Sequence, residues 1–491
     1  MSNNHSWEIV MGLEVHTELS TKSKIFCGCR VAFGGEPNTH VCPVCSGMPG
    51  TLPVLNRAVV EYAMRLGLTL NCEITKNCKF DRKNYFYPDL PKAYQVSQLY
   101  APICRNGLLE IEVNGSEETV TGTGSGKQKK KIGIREIHME EDAGKLIHDL
   151  RGDDTFMDFN RCGVPLLEIV TQPDFQSCEE VLAYLEKLRE ILLFLGVSDC
   201  KMQEGSLRAD INLSVRQTGG ELGVRTETKN LNSFKAIGRA IEYESARQIK
   251  ILQGGGHIIQ ETRRWDDEKG ISFSMRSKEN AQDYRYFPEP DLLPMNISET
   301  WITCIRENLP ELAHQKRERY IRDYGLSEIE TGILTGHKNI SNLFESIVNK
   351  CGEPTEAAHL VSGEIMRLMN NTHTLPEDLS PDAHKLSTLI TFVLDGKINR
   401  NAYKETVEAV FMLNVDPQNY IIEKGLMMLT DDNVITETVE TVLNNNPDAV
   451  SDYHAGKDKA LGFLIGQVMR SLGGSGNPEI VRKTLKNLLE K

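Results

Sequence analysis

With 491 residues the chain is too long for one hydrophobic core, and its size predicts about two to four domains. An apolar content of 40% and a charged content of 25% are those of an ordinary soluble protein, and no uninterrupted span of about 20 apolar residues is present to form a membrane-crossing helix. A net charge of -13 argues against a general nucleic-acid coat, which needs many cations facing phosphate, and leaves room for a local basic patch only.

Met1 to Trp7 is polar and lacks a basic segment followed by an apolar core, so a cytoplasmic protein is expected. Trp7 to Ser20 alternates as a strand, with Ile9, Met11, Leu13, Val15 and Thr17 on one side. The other side carries Val10, Gly12, Glu14, His16 and Glu18, an imidazole between two carboxylates. That face suits one wall of a metal site or a half-exposed edge strand.

Ten of the twelve cysteines precede residue 201, and four of them fall as Cys27-x-Cys29 and Cys42-x-x-Cys45. In a reducing cytosol, two close pairs across a short loop read as a tetrahedral thiolate zinc site rather than as disulfides; four free thiols are the alternative. With sulfur in all four positions, such a zinc is structural, because no position is left for a substrate.

Leu55 to Leu70 reads as a helix with Asn56 as a cap. The stretch from Lys79 to Lys92 carries two prolines, which argue against a regular element. Its basic residues interleave with Tyr85, Phe86 and Tyr87, a set that could stack on a base and pair with phosphate, or else anchor a loop on the sheet. Leu108 to Val120 has a strand pattern, and Gly122 to Lys131 reads as a mobile, basic hairpin end, since no G-x-x-x-x-G-K-[ST] phosphate loop is present.

The stretch from Ile134 to Thr171 concentrates charge. His138, Glu140, Glu141 and Asp142 put three carboxylates and an imidazole into five residues. Glu168 then interrupts the apolar run from Val164 to Val170, where a buried strand normally carries no acid. A hard cation shared between the cluster and Glu168 would serve both, because magnesium is held by a few carboxylates plus substrate phosphates. A solvated acidic loop beside a strand is the competing reading.

Ser177 caps a helix that runs to Leu195. In the strand from Leu207, Arg208, Asp210, Asn212 and Ser214 share one face, and Glu227 and Lys229 alternate in a second polar strand. Ser233 caps a helix from Phe234 to Leu252. From Ser298 onward the pattern is helical, beginning with Asn308 to Tyr324 and ending with Val450 to Ser471 and Glu479 to Glu490. Between Ser451 and Lys491 seven Lys or Arg face four acids, the natural place in an acidic chain to look for a nucleic-acid contact.

The strings MGLEVH (11 to 16), DRKNYFYPDLPK (81 to 92), HMEEDAGK (138 to 145), NRCGVPLLEIV (160 to 170), EGSLRADIN (204 to 212), TKNLNSF (228 to 234) and DYRYFPEPDL (283 to 292), in this order, resemble the B subunit of the heterotrimeric glutamyl/aspartyl-tRNA amidotransferase, the GatB family. AGKDKALGFLIGQVMR (455 to 470) resembles that family's tRNA-contacting tail. The resemblance implies an α+β fold: a cradle domain with a largely antiparallel sheet at residues 1–295, with the cysteine loop at 27–45. An all-helical domain at 296–405 and a helical tail at 406–491 follow.

It also implies an activity. ATP phosphorylates the side-chain carboxylate of Glu on tRNA(Gln) or Asp on tRNA(Asn), and ammonia from glutamine, hydrolysed by a separate amidase (glutaminase) subunit, displaces the phosphate. A third, small subunit completes the heterotrimer. In the family the magnesium ligands match His16, Glu141 and Glu168, with Glu14 alongside. Glu204 and Asp210 are expected as further acidic groups, Arg208 and Lys229 as phosphate contacts, and zinc at Cys27, Cys29, Cys42 and Cys45. The chain departs from the family at Gly473 to Pro478, where relatives often place lysines, so tRNA contact is expected at Lys457, Lys459 and Arg470. The basic run Lys127 to Lys131 is an elaboration with no assigned role.

Overall fold

The computed structural model describes residues 7–114, 127–149, 152–277, 284–429, 432–473 and 476–490. It has an α+β architecture and divides into two compact units, Met1–Leu312 and Ala313–Lys491.

In chain order the first unit contains β1 (Trp7–Glu18), α1 (Arg57–Thr69), β2 (Glu73–Ile74), β3 (Asn77–Cys78), β4 (Asp81–Asn84), β5 (Tyr94–Ser97), β6 (Cys104–Asn114) and β7 (Lys127–Glu141). Then come β8 (Lys145–His148), β9 (Thr155–Asp158), β10 (Pro165–Thr171), α2 (Cys178–Leu195), β11 (Leu207–Gln217), β12 (Thr226–Lys229), α3 (Phe234–Gln253), β13 (Glu261–Asp266), β14 (Ile271–Ser277), β15 (Phe287–Pro288) and α4 (Glu299–Glu307). A nine-stranded sheet runs in the order β14-β13-β12-β11-β1-β10-β7-β6-β2. Every pair in it is antiparallel except β12 with β13.

The period-two alternation of the central strands separates core from site. Met11, Leu13 and Val15 of β1, Ile137 and Met139 of β7, Leu167 and Ile169 of β10 and Ile211 and Leu213 of β11 all enter one apolar core. Ala63 of α1, Leu185 and Leu188 of α2 and Ile237 of α3 join them there, so helices cover one face of the sheet and the polar residues are left on the other. The side chains of Asn56, Ser177 and Ser233 cap α1, α2 and α3 by accepting from helical backbone N–H groups.

Three expectations are corrected here. Lys127 to Lys131 opens β7 and is not a hairpin end: Lys131 pairs in register with Glu110 of β6 and Lys129 with Glu112. Lys129 also reaches Glu110 at 2.8 Å, and opposite charges across an antiparallel pair favour continuing the ladder. Gly122 to Gly126 lies outside the described residues. The proline-bearing stretch does hold a regular element, β4, which pairs with β5 and β15 because both prolines fall after it. Finally, Val450 to Ser471 is two helices, Pro447–His454 and Asp458–Ser471, broken where Gly456 takes φ +80°.

The first unit extends through α4, whose Ile302 and Ile305 enter the same core. Within the second unit two apolar clusters form, one from Tyr320 to Ile421 and one from Ile435 to Leu489. Among the described residues no helix is long and apolar enough to cross a membrane.

A buried ionic network holds α3 under β11 and β12. Glu244, 1% exposed, accepts from Thr226 Oγ1 at 2.7 Å, from Gln248 Nε2 at 2.9 Å and from Arg247, with Arg263 Nε at 3.5 Å. Burial opposes its ionisation, but Arg247, Gln248 and Thr226 outweigh burial and hold the carboxyl below its ordinary 4.5. Its stabilisation is therefore full above that value and is lost as the pH falls through the depressed one. Glu244→Ala should lower stability by about 2 kcal/mol, because it leaves the buried Thr226 and Gln248 donors without this acceptor and takes one of two acids from Arg247 and Arg263. Urea unfolding at pH 7 checks this, and an unchanged midpoint would contradict it.

Candidate functional site

Three adjacent strands build the site by register alone. β1 and β10 pair His16 with Glu168, and β10 and β7 pair Glu168 with His138. The row His16, Glu168, His138 therefore crosses the polar face, and Glu140, two residues beyond His138, shares that face. Ligand atoms of His16, Glu140 and Glu168 all lie within 4.8 Å of one another, with His16 Nε2 3.9 Å from Glu168 Oε1. Glu140 is held from above by β5: it accepts from Ser97 Oγ at 2.5 Å and from Gln95 Nε2 at 3.3 Å.

This trio forms under electrostatic stress. Burial, followed by the charges of Glu140 and Glu14, pushes the Glu168 carboxyl up to about 8. Burial also lowers the His16 imidazole. Glu140 behaves in the opposite way: burial works against its charge, but Lys83, His16, the Ser97 hydroxyl and His138 together hold its carboxyl below the usual range. An imidazole and two carboxyls this close, one of them driven towards protonation, fit a divalent cation, which would restore the charged form of all the acids.

Glu141, the acid expected as ligand, is not brought into this group. It sits opposite Pro165 with the core-facing parity of Ile137 and Met139, accepting from Lys92 Nζ at 2.5 Å and from Val96 N at 2.9 Å. It lines a separate cavity of about 140 Å³ together with Lys24, Cys27 and Cys45.

His16 and Glu168 of the trio open onto a cavity of about 830 Å³, while Glu140 is buried beside them. Glu14, His16, Glu168, Glu227 and Lys229 line it from the sheet; Lys83, Tyr85, Phe86, Tyr87, Tyr284 and Arg285 line it from the segments carrying β4 and preceding β15. Lys229 reaches Asp210 at 2.5 Å and Glu227 at 3.1 Å; burial resists its charge, but these two acids raise its pKa. Asn212 Nδ2 donates to Glu14 at 3.0 Å. Arg208 shares the polar face but turns to Asp142 at 2.9 Å and does not line the cavity. Glu204 likewise lies off the cavity, paired with Lys201 at 3.2 Å.

Lys83 was missed by sequence reasoning. Its ammonium lies over the rings of Tyr284 and Tyr85, at 5.1 and 5.7 Å from their centroids, and it lines the cavity with His16 and Glu168. The signal was present in its place within the interleaved basic and aromatic run.

In the cysteine loop, ligand atoms of Cys27, Cys29, Cys42 and Cys45 all lie within 4.8 Å, with Cys42 Sγ and Cys45 Sγ 3.9 Å apart. A tetrahedral zinc with bonds of about 2.3 Å requires sulfurs about 3.8 Å apart, so the four thiols could hold a metal of that kind. Hydrogen bonding from Cys27, with Lys24 among the further causes, draws the Cys45 thiol down to about 4, while burial pushes Cys29 up to about 11.

Lys457, Lys459 and Arg470 are exposed in the second unit. Lys457 pairs with Asp452 at 2.7 Å, and Lys459 borders a cavity of about 470 Å³ with Asp448 and Phe463.

Residues 9–303 match the family model described as the GatB/GatE catalytic domain, and residues 342–489 match that of the GatB domain. The chain belongs to the GatB family. It is 59% identical over 486 residues to a protein of Lachnoclostridium phytofermentans named as the B subunit of aspartyl/glutamyl-tRNA(Asn/Gln) amidotransferase, with 99% of each chain covered. Proteins of the same name from Caldicellulosiruptor bescii and Thermoanaerobacter sp. are 54% and 51% identical to it, each over 99% of this chain and 99% and 100% of their own. The GatB resemblance read from the short strings thus extends across both units of the chain.

If Glu140 and not Glu141 completes the cluster, Glu140→Gln should weaken magnesium binding by about tenfold or more, while Glu141→Gln stays within about threefold of the parent. Isothermal titration of both variants checks this; equal losses, or the reverse order, would contradict it. Chelating the metal from the cysteine loop should make four further thiols reactive towards a chromogenic disulfide in the folded protein, and an unchanged thiol count would count against a metal there.

Proposed function

We propose that this chain is the carboxylate-activating subunit of a cytoplasmic aspartyl/glutamyl-tRNA amidotransferase, a heterotrimeric, glutamine-dependent ligase in which it works beside an amidase (glutaminase) subunit and a third, small one. Its substrate is the side-chain carboxylate of Glu on tRNA(Gln), of Asp on tRNA(Asn), or of both. Membership of the GatB family supports the reading, and one observation carries it: an imidazole and two carboxyls gathered within 4.8 Å, of which His16 and Glu168 line a large cavity that Lys83 also lines.

A carboxylate is a poor acyl donor because oxide does not leave, so its activation requires an acyl phosphate. The reaction asks the protein chiefly for positioning and for neutralisation of phosphate charge. His16, Glu140 and Glu168 would hold the magnesium, with Glu14 beside them. When bound, magnesium supplies Lewis-acid polarisation of phosphoryl oxygens. Lys83 lines the same cavity and would present its ammonium to a triphosphate, and Lys229, fixed by Asp210 and Glu227, supplies a second cation from the sheet. Phe86, 89% exposed at the rim with Tyr85 and Tyr87 beside it, offers a flat surface for a base. Arg208 acts at one remove, by engaging Asp142. Zinc in the four-cysteine loop is structural, and the exposed Lys457, Lys459 and Arg470 supply contacts to tRNA phosphates.

The reaction leaves an isotopic mark. When the assembled heterotrimer turns over ATP, glutamine and Glu-tRNA(Gln) labelled with ¹⁸O in the side-chain carboxylate, one labelled oxygen should appear in inorganic phosphate for each amide formed. Label confined to the amide product or to water would overturn an acyl-phosphate route. Lys83→Met should slow the transfer by about 10²-fold or more with the partner's glutaminase activity retained.

A further inference from the structure

The four-cysteine loop holds a charge that the proposed carboxylate chemistry does not use. Lys24, three residues before Cys27, is wholly buried, at 0% exposure. Its ammonium donates to the His40 carbonyl at 2.8 Å and to Cys45 Sγ at 3.6 Å. The His40 backbone is itself held in place, its N–H donating to Asn160 Oδ1 at 2.8 Å. The acids around the adjoining small cavity are engaged elsewhere: Glu141 by Lys92 at 2.5 Å, Glu289 by Arg82 at 2.7 Å and Asp291 by Arg82 at 3.1 Å.

A buried ammonium carries a large desolvation penalty unless a counter-charge accompanies it. Here the groups that can supply one are the thiols. Four thiolates around a divalent cation leave two negative charges uncompensated, and in a partly buried loop these also need a partner. Each charge answers the other.

We propose that Lys24 is the charge partner of the four-cysteine metal centre, offsetting part of its excess thiolate charge and so setting its metal affinity. This rests on the reading of the four cysteines as a metal site. Lys24 is a positioning residue, with no ligand bond of its own. Groups that orient and polarise metal ligands in this way are worth about 10- to 100-fold in affinity.

The experiment is zinc competition against a chromophoric chelator in the full-length protein, comparing the parent with Lys24→Met and Lys24→Gln. Cobalt loading reports the ligand set through its thiolate charge-transfer band, and far-UV circular dichroism reports the fold. Both variants should keep the cobalt spectrum of four sulfurs and lose about tenfold or more in zinc affinity, because both lack the charge. Parent affinity in Lys24→Gln alone would reduce the role to the hydrogen bond with His40 and overturn the proposal. Parent affinity in both variants, or loss of the fold in Lys24→Gln with zinc present, would also overturn it. A parent that binds neither zinc nor cobalt would instead remove the metal-site reading on which it rests.

Discussion

Two carboxyls and an imidazole within 4.8 Å of one another are the constraint around which the first unit is arranged. Taken out of bulk water, such a group is stable only if something divides its charge. The protein does this unevenly. Glu140 is kept ionised by Lys83, His16, Ser97 and His138 against burial, while Glu168, with burial and two further acids against it, is driven towards protonation. A site left in this state is poised for a cation, and the proposed phosphoryl transfer needs a cation of that kind.

The sheet can hold the group because β1, β10 and β7 are adjacent and antiparallel, with Met11, Leu13, Val15, Ile137, Met139, Leu167 and Ile169 on the helix-covered face. One face is then a core with α1, α2 and α3, and the other is free to carry His16, Glu168 and Glu140. The same alternation explains why adjacent acids take different roles. Glu140 points to the cation face, and Glu141 points the other way, to Lys92 and the neighbourhood of the cysteine loop. A one-residue slip of β7 would exchange the two, so register is what makes the site.

Much of this is legible in the sequence. The alternation from Trp7 to Glu18 marks the strand and its polar face, and Glu168 inside an apolar run marks the acid that the structure places beside His16 and Glu140. Asn56, Ser177 and Ser233 announce their helices through their side-chain oxygens. Less legible is the choice within the acidic cluster. Counting alternate residues from Ile137 and Met139 places Glu140, not Glu141, on the polar face, whereas the family resemblance points to Glu141. Lys83 and the β5 hydroxyl and amide that hold Glu140 are contributed by tertiary contact between segments distant in sequence, which local periodicity does not encode. β4 is hidden because the prolines that follow it dominate the pattern, and the lysines at the start of β7 look like a loop because their acidic partners lie on another strand.

The central claim is that the trio binds a cation that also meets phosphate. Pulsed electron paramagnetic resonance of the protein loaded with Mn²⁺ and ATP tests it most directly. The account predicts one manganese species showing both nitrogen coupling from a histidine, absent in His16→Ala, and phosphorus coupling from the nucleotide. A manganese signal with phosphorus coupling but no nitrogen coupling in the parent would contradict it, because the cation would then be held somewhere other than at His16, Glu140 and Glu168.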